Sequence, residues 1–277
     1  MTSLAVAVDL LREAAARRWF LALGLGLTGL LLILLTSLRL EVVDGALAAT
    51  RLFGKPLYHS IQAADVALRP VFQAASQIVF WGGLCFGVLS CADFAPALLS
   101  PGRIEHLLSL PVRRWELLAG TFLGVLALAV AGAVYASAGL VLVLGAKTGV
   151  WTGWPVVSAV LAALAFATVY AGMLAVTVWV RSAALSAAAG ASLIILGVLA
   201  THRKALLDVM GQGIGRALFA AVTAVVPPIG KLADAAAALA SSAPLAPGGL
   251  VRLLAGTAAF AGALLAVAMW RFERRDF

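Results

Sequence analysis

Residues 117–146 read LLAGTFLGVLALAVAGAVYASAGLVLVLGA, with Glu116 before the run and Lys147 after it. As a helix this charge-free stretch is about 45 Å long, more than the roughly 30 Å of hydrocarbon in a bilayer. Lipid offers no partner to backbone N–H and C=O groups, so a lone segment of this kind is stable there only as a helix. Working outward, five more charge-free runs of similar character appear: 19–38, 71–92, 154–180, 182–200 and 253–270. The expected fold class is therefore an all-α membrane protein with six transmembrane helices in a single domain, 1–277.

Composition agrees. The chain is 63% hydrophobic and 12% charged, with a mean hydropathy of +1.06. Soluble domains carry about 45–50% apolar and about 25% charged residues. The formal charge of +8 is spread between apolar runs, without a basic stripe interleaved with aromatics, so it suits membrane lipid headgroups and not nucleic acid. Cys85 and Cys91 lie in one apolar run, six residues apart and off a shared helix face, and read as buried thiols. His59, His106 and His202 have no ligand spacing, so no metal site is expected. Residues 1–19 hold Asp9, Arg12, Glu13, Arg17 and Arg18, which does not read as a cleaved signal. Leu4, Val8, Leu11 and Ala15 recur at helical spacing, predicting an N-terminal interfacial helix.

Between the last two runs, 217–230 is apolar but too short to span and ends in Pro227-Pro228. An external re-entrant helical hairpin over 205–247, broken at those prolines, is expected. Six crossings place both termini on one side. Lys and Arg divide evenly between the two sides, but Arg17, Arg18, Arg271, Arg274 and Arg275 hug the membrane, which favours cytoplasmic termini. Trp19, Trp151, Trp154, Trp179 and Trp270 fall where runs meet loops, as an aromatic belt would.

Gly24, Gly26 and Gly29 spell a dinucleotide fingerprint, but inside an apolar helix they read as packing residues. Gly83 with Gly87, and Gly120 with Gly124, have the GxxxG spacing of close helix contacts, within the bundle or between copies. Gln73, Ser76 and Gln77, with Tyr135 and Tyr170 in mid-run, are either interhelical ties or the lining of a translocation path. The runs contain no Asp, Glu, His, Lys or Arg, which excludes acid–base catalysis at membrane depth.

The loop over 93–116 reads DFAPALLSPGRIEHLLSLPVRRWE. Ser100-Pro101-Gly102 turns into a short helix bearing Ile104, Leu107, Leu108 and Leu110, stopped by Pro111, after which a second helix enters the 117–146 run. Gly102, Leu107-Leu108-Ser109-Leu110-Pro111, Arg113-Arg114 and Gly120 to Gly124 resemble the loop of ABC-2 type exporter permeases, closest to those linked to multicopper-enzyme maturation and to multidrug or sodium export. The tail Arg271 to Phe277 looks like that family's ending. Two features depart from its pattern: Ala97-Leu98-Leu99-Ser100 replaces acidic residues, and Thr121 stands where a Lys is common.

The resemblance implies a permease subunit in the cytoplasmic (inner) membrane of a bacterium, not an enzyme and holding no cofactor. ATP and Mg would be bound by a separate ABC ATPase subunit. That partner would dock under a cytoplasmic coupling helix, with Ile104, Glu105, Leu107, Leu108, Leu110 and Arg113 as ATPase-coupling contacts. A second permease copy or a paralogue would complete the path. The alternative is a non-transporting component that uses ATPase motion to act on a periplasmic or envelope partner.

Overall fold

The computed structural model describes residues 3–274 except 17, 44–45, 53–54, 59–61, 101, 103 and 106–112, and describes fewer side chains, with those of 37–65 outside the description. Helices α1 (Ser3–Ala16) and α2 (Arg18–Ser37) lead into strands β1 (Leu38–Val43), β2 (Ala46–Leu52), β3 (Lys55–Tyr58) and β4 (Gln62–Ala63). There follow α3 (Ala64–Cys91), α4 (Phe94–Leu98), α5 (Arg114–Thr148), α6 (Trp154–Val180) and α7 (Ala183–Thr201). The chain closes with α8 (Arg203–Val209), α9 (Ile214–Val225), α10 (Ile229–Ala240) and α11 (Pro247–Glu273). Among the described residues five helices are long and apolar enough to cross a membrane, namely α3 with α4, α5, α6, α7 and α11, or six if the bent pair α9–α10 is one span. The sheet was not anticipated in an all-α reading. In it β2 pairs antiparallel with β1, β3 and β4, and Leu38 faces Leu52 while Thr50 faces Tyr58.

Helix α6 is the axis of the bundle. Its most apolar stretch is 78% buried against protein, compared with 11% for α11. Alanines at 159, 162, 163, 165, 167 and 171 are buried around it, and small side chains are what allow helices to close in where lipid supplies no hydrophobic drive. It packs on α3, α5, α7, α10 and α11. Two tight turns flank it. Gly149, in the left-handed region at φ 71°, caps α5 by donating its N–H to Gly145 O at 2.9 Å. Arg181, left-handed at φ 52°, caps α6 on Thr177 O, and Ser182 Oγ accepts from the Leu185 N–H to start α7.

The two ends of the bundle are distinguishable. At one end Arg114 Nη1 donates to Glu273 O at 3.4 Å, and α1 crosses the base of α5. Both termini of the described chain therefore share that end, the terminal end. There α1 presents Ala7, Leu10 and Ala14 to the protein and leaves Leu4 and Val8 outward. At the far end Leu68 and Phe72 of α3 meet Leu140 and Leu144 of α5 and Ala240 of α10. Trp154 and Trp179, both exposed, mark the two ends of α6 and lie about 37 Å apart along it, close to a bilayer with its interfaces.

The chain breaks at Val226-Pro227-Pro228, where prolines were expected to break it, and α9 and α10 bend there by 46°, as a broken span or a re-entrant loop would. The first turn of α10 packs on Gly197 and Thr201 of α7, and its last turn on α3. Both its ends thus stay at the far end of the bundle.

Of the four GxxxG glycines, Gly120 and Gly124 form the seat of α1. A Cβ on Gly120 would lie 2.6 Å from Ser3 O, and one on Gly124 3.1 Å from Ala7 O. Gly87 is covered by the Phe166 ring, while Gly83 faces open space. Replacing Gly120 by Leu should unseat α1 and cost about 1–3 kcal/mol as overpacking, read as a lower Tm and faster proteolysis near residue 16. Gly132→Ala, in open space, should be neutral or stabilising.

Candidate functional site

The loop that joins α3 to α5 at the terminal end is built between two buried anchors. After Cys91 the chain turns, and Ala97 N–H on Asp93 O (2.9 Å) opens the short helix α4. Phe94, Ala95, Leu98 and Leu99 are all buried, so α4 is an apolar plug against α6. A carboxylate at the buried positions of Leu98 or Leu99 would be desolvated. Ser100 then accepts the Ile104 N–H at 3.1 Å, with Gly102 left-handed at φ 81° between them.

Ile104 is 3% exposed and belongs to the main core cluster with Phe94, Leu117 and Leu118. It tethers the loop and is not a surface contact. Glu105 is exposed. Leu107, Leu108 and Leu110 lie outside the described residues. Arg113 is exposed and opens α5, where its N–H donates to Glu116 Oε2 at 3.0 Å. Glu105 thus follows the buried Ile104, and Arg113 precedes the fully buried Leu117 and Leu118. Around it, Arg271 lies 4.8 Å over the Trp179 ring and Arg274 4.5 Å over Trp270, pairs that put cation and indole together at the membrane boundary. Sequence reasoning placed these residues at the boundary but missed their pairing and missed α4.

The polar residues read as ties or lining are not brought together. Gln73 Nε2 donates to Ser241 Oγ on α10 at 3.1 Å. Ser76 Oγ and Ser158 Oγ on α6 are 3.4 Å apart. The Tyr135 hydroxyl bonds Thr28 Oγ1 on α2 at 2.7 Å. Gln77 Oε1 accepts from Trp81 Nε1 on its own helix at 2.9 Å. In all three interhelical pairs the receiving hydroxyl already donates to its own helix: Ser241 to Ala238 O, Ser158 to Pro155 O, Thr28 to Gly24 O. Its proton is committed, so the incoming side chain must be the donor. Each pair is a relay that ends on a backbone carbonyl.

Tyr170 is the exception. It is 1% exposed, stacked with Phe122 (6.2 Å, 21°) and Phe166 (5.9 Å, 15°), and among the described residues its hydroxyl has no hydrogen-bond partner.

Opposite signs follow for the two tyrosines. Tyr135→Phe should destabilise, with a Tyr135–Thr28 coupling of about 0.6–1.7 kcal/mol in a double-mutant cycle with Thr28→Val. Tyr170→Phe keeps the stack and removes an unpaired buried hydroxyl, so the Tm should hold or rise; a clear fall would show that the hydroxyl is paired.

No protein-family model matches the chain, and no curated protein matches it.

Proposed function

We propose that the chain is the transmembrane permease subunit of an ATP-binding cassette exporter of the ABC-2 type, driven by a separate ATPase subunit that grips the loop over 93–116. The observation behind this reading is the loop: residues resembling that family's motif occupy a stretch held at both ends by buried side chains and exposed at Glu105 and Arg113. A soluble motor would need exposed side chains that adjoin the buried core. ATP-driven closure of the ATPase then biases the bundle between two arrangements.

In this reading α2, α3, α5, α6, α7 and α11 are the six crossings. The Tyr135–Thr28 bond and the fit of Leu31 over Gly139 set α2 beside α5, both running from the terminal end to the far end. Helix α10, with both ends held at the far end, does not cross. The terminal end is cytoplasmic and the membrane is the inner membrane of a bacterium. A second copy or a paralogue completes the assembly, and ATP and Mg stay with the ATPase.

A second reading, mechanical work on an envelope partner without transport, draws on the relays. Gln73, Ser76 and Tyr135 are spent on ties between helices, which leaves them unavailable to cargo.

Co-purification with a co-expressed ABC ATPase subunit is the test. The pair Glu105→Lys with Arg113→Glu, which alters only exposed charge, and deletion of residues 103–111 should both abolish capture while the chain still reaches the membrane. Retained capture would contradict the proposal. Substrate-stimulated ATPase activity with flux into vesicles selects export, and stimulation without flux selects mechanical work.

A further inference from the structure

We propose that α8 and α9 form a foot that binds an anionic phospholipid in the leaflet at the far end of the bundle, its headgroup on Arg203 and Arg216 and its acyl chains on the outer face of α9. This inference needs the membrane, not the motor, and stands apart from the exporter reading.

The first observation is that α9 is amphipathic the wrong way round for water. Its outer face carries Ile214, Leu218, Val222 and Val225, at spacings of four, four and three, with Ile214 89%, Leu218 65% and Val225 69% exposed. Ala217, Ala221 and Ala224 fill the rest of that face. The polar residues sit elsewhere: Thr223 is buried and donates to Phe219 O at 2.6 Å, and Arg216 is half-buried, one amino group on Met210 O at 3.1 Å. A helix that hides its polar side and offers its aliphatic side has hydrocarbon as its outer solvent. Twelve residues make about 18 Å of helix, too short to span, so α9 lies along the leaflet.

The second observation is charge. Between His202 and Arg216 the chain carries Arg203, Lys204 and Arg216 against one carboxylate, Asp208, a net of three minus one, or +2. Asp208 follows Lys204 by four residues on α8, the spacing at which the two neutralise each other. That leaves the two arginines, whose planar forks match phosphate oxygens. Both side chains are half-buried: the Arg203 Nε is enclosed, which leaves its terminal amino groups to meet a headgroup, and one amino group of Arg216 is bonded to Met210 O. The loop between α8 and α9 is open, with space around Gly211 and Gly213. Cations at the ends of a helix with an aliphatic flank match an anionic headgroup joined to acyl chains. A soluble phosphate would match the arginines and leave the flank bare.

The test compares the full chain in nanodiscs of phosphatidylcholine with and without phosphatidylglycerol. Phosphatidylglycerol should raise the Tm of the native chain in a saturable manner. Arg203→Gln with Arg216→Gln should abolish that shift, read for each protein against its own Tm in phosphatidylcholine; an equal shift in both proteins, or none in either, overturns the proposal. A spin label at Leu218→Cys, in a Cys85→Ala, Cys91→Ala background, reads the apolar face independently. Relaxation by oxygen and not by a water-soluble nickel chelate is expected. Strong relaxation by the chelate would place the face in water, and shielding from both would mean that protein, such as a second copy, covers it.

Discussion

Hydrocarbon offers no hydrogen bonds, and that constraint orders every part of this molecule. Backbone groups are satisfied by helix formation wherever the chain meets lipid. Side-chain hydroxyls follow the same logic: Thr121, Thr148, Thr168, Thr177, Thr201 and Thr257 each donate to the carbonyl four residues back. A hydroxyl so committed still has lone pairs, and the three interhelical relays use them. Hydrogen bonding therefore ties α2 to α5, α3 to α6 and α3 to α10. Among the described residues the Tyr170 hydroxyl, like the Nε atoms of Arg203 and Arg271, is buried without a partner.

Packing then determines what each end of the bundle can do. The terminal end gathers α1, the α4 plug, the base of α5 and the Arg–Trp pairs, with Glu105 and Arg113 exposed there. The far end gathers α10, the small sheet and the apolar foot of α9. Between them lies α6, most of it buried, packed against helices that reach either end.

Much of this was legible in the residues. Charge-free runs located all five of the long apolar helices, since one lysine or aspartate at depth is costly enough to interrupt a run. The break at Pro227-Pro228 and the left-handed turn at Gly102 were legible because proline and glycine act locally. The sheet was missed although Leu38, Leu40 and Val42 alternate with Arg39 and Glu41; the alternation is short and follows directly on a helix, so it read as loop. Helix α4 was missed because its residues are apolar for contact with α6, a tertiary fact. Ile104 looked like part of an exposed helix face for the same reason: spacing identifies a face but not what covers it. Gln73, Ser76 and Tyr135 remained ambiguous because the partner that turns each into a tie lies 168, 82 and 107 residues away.

The account turns on which face of the membrane a soluble motor would meet. With Cys85 and Cys91 replaced by alanine, single cysteines at Glu105 and Arg113 can be exposed to a membrane-impermeant maleimide in intact cells and in inverted vesicles. Reaction only in inverted vesicles is the predicted result. Reaction in intact cells would put the loop outside, beyond the reach of any ATPase, and would contradict the account.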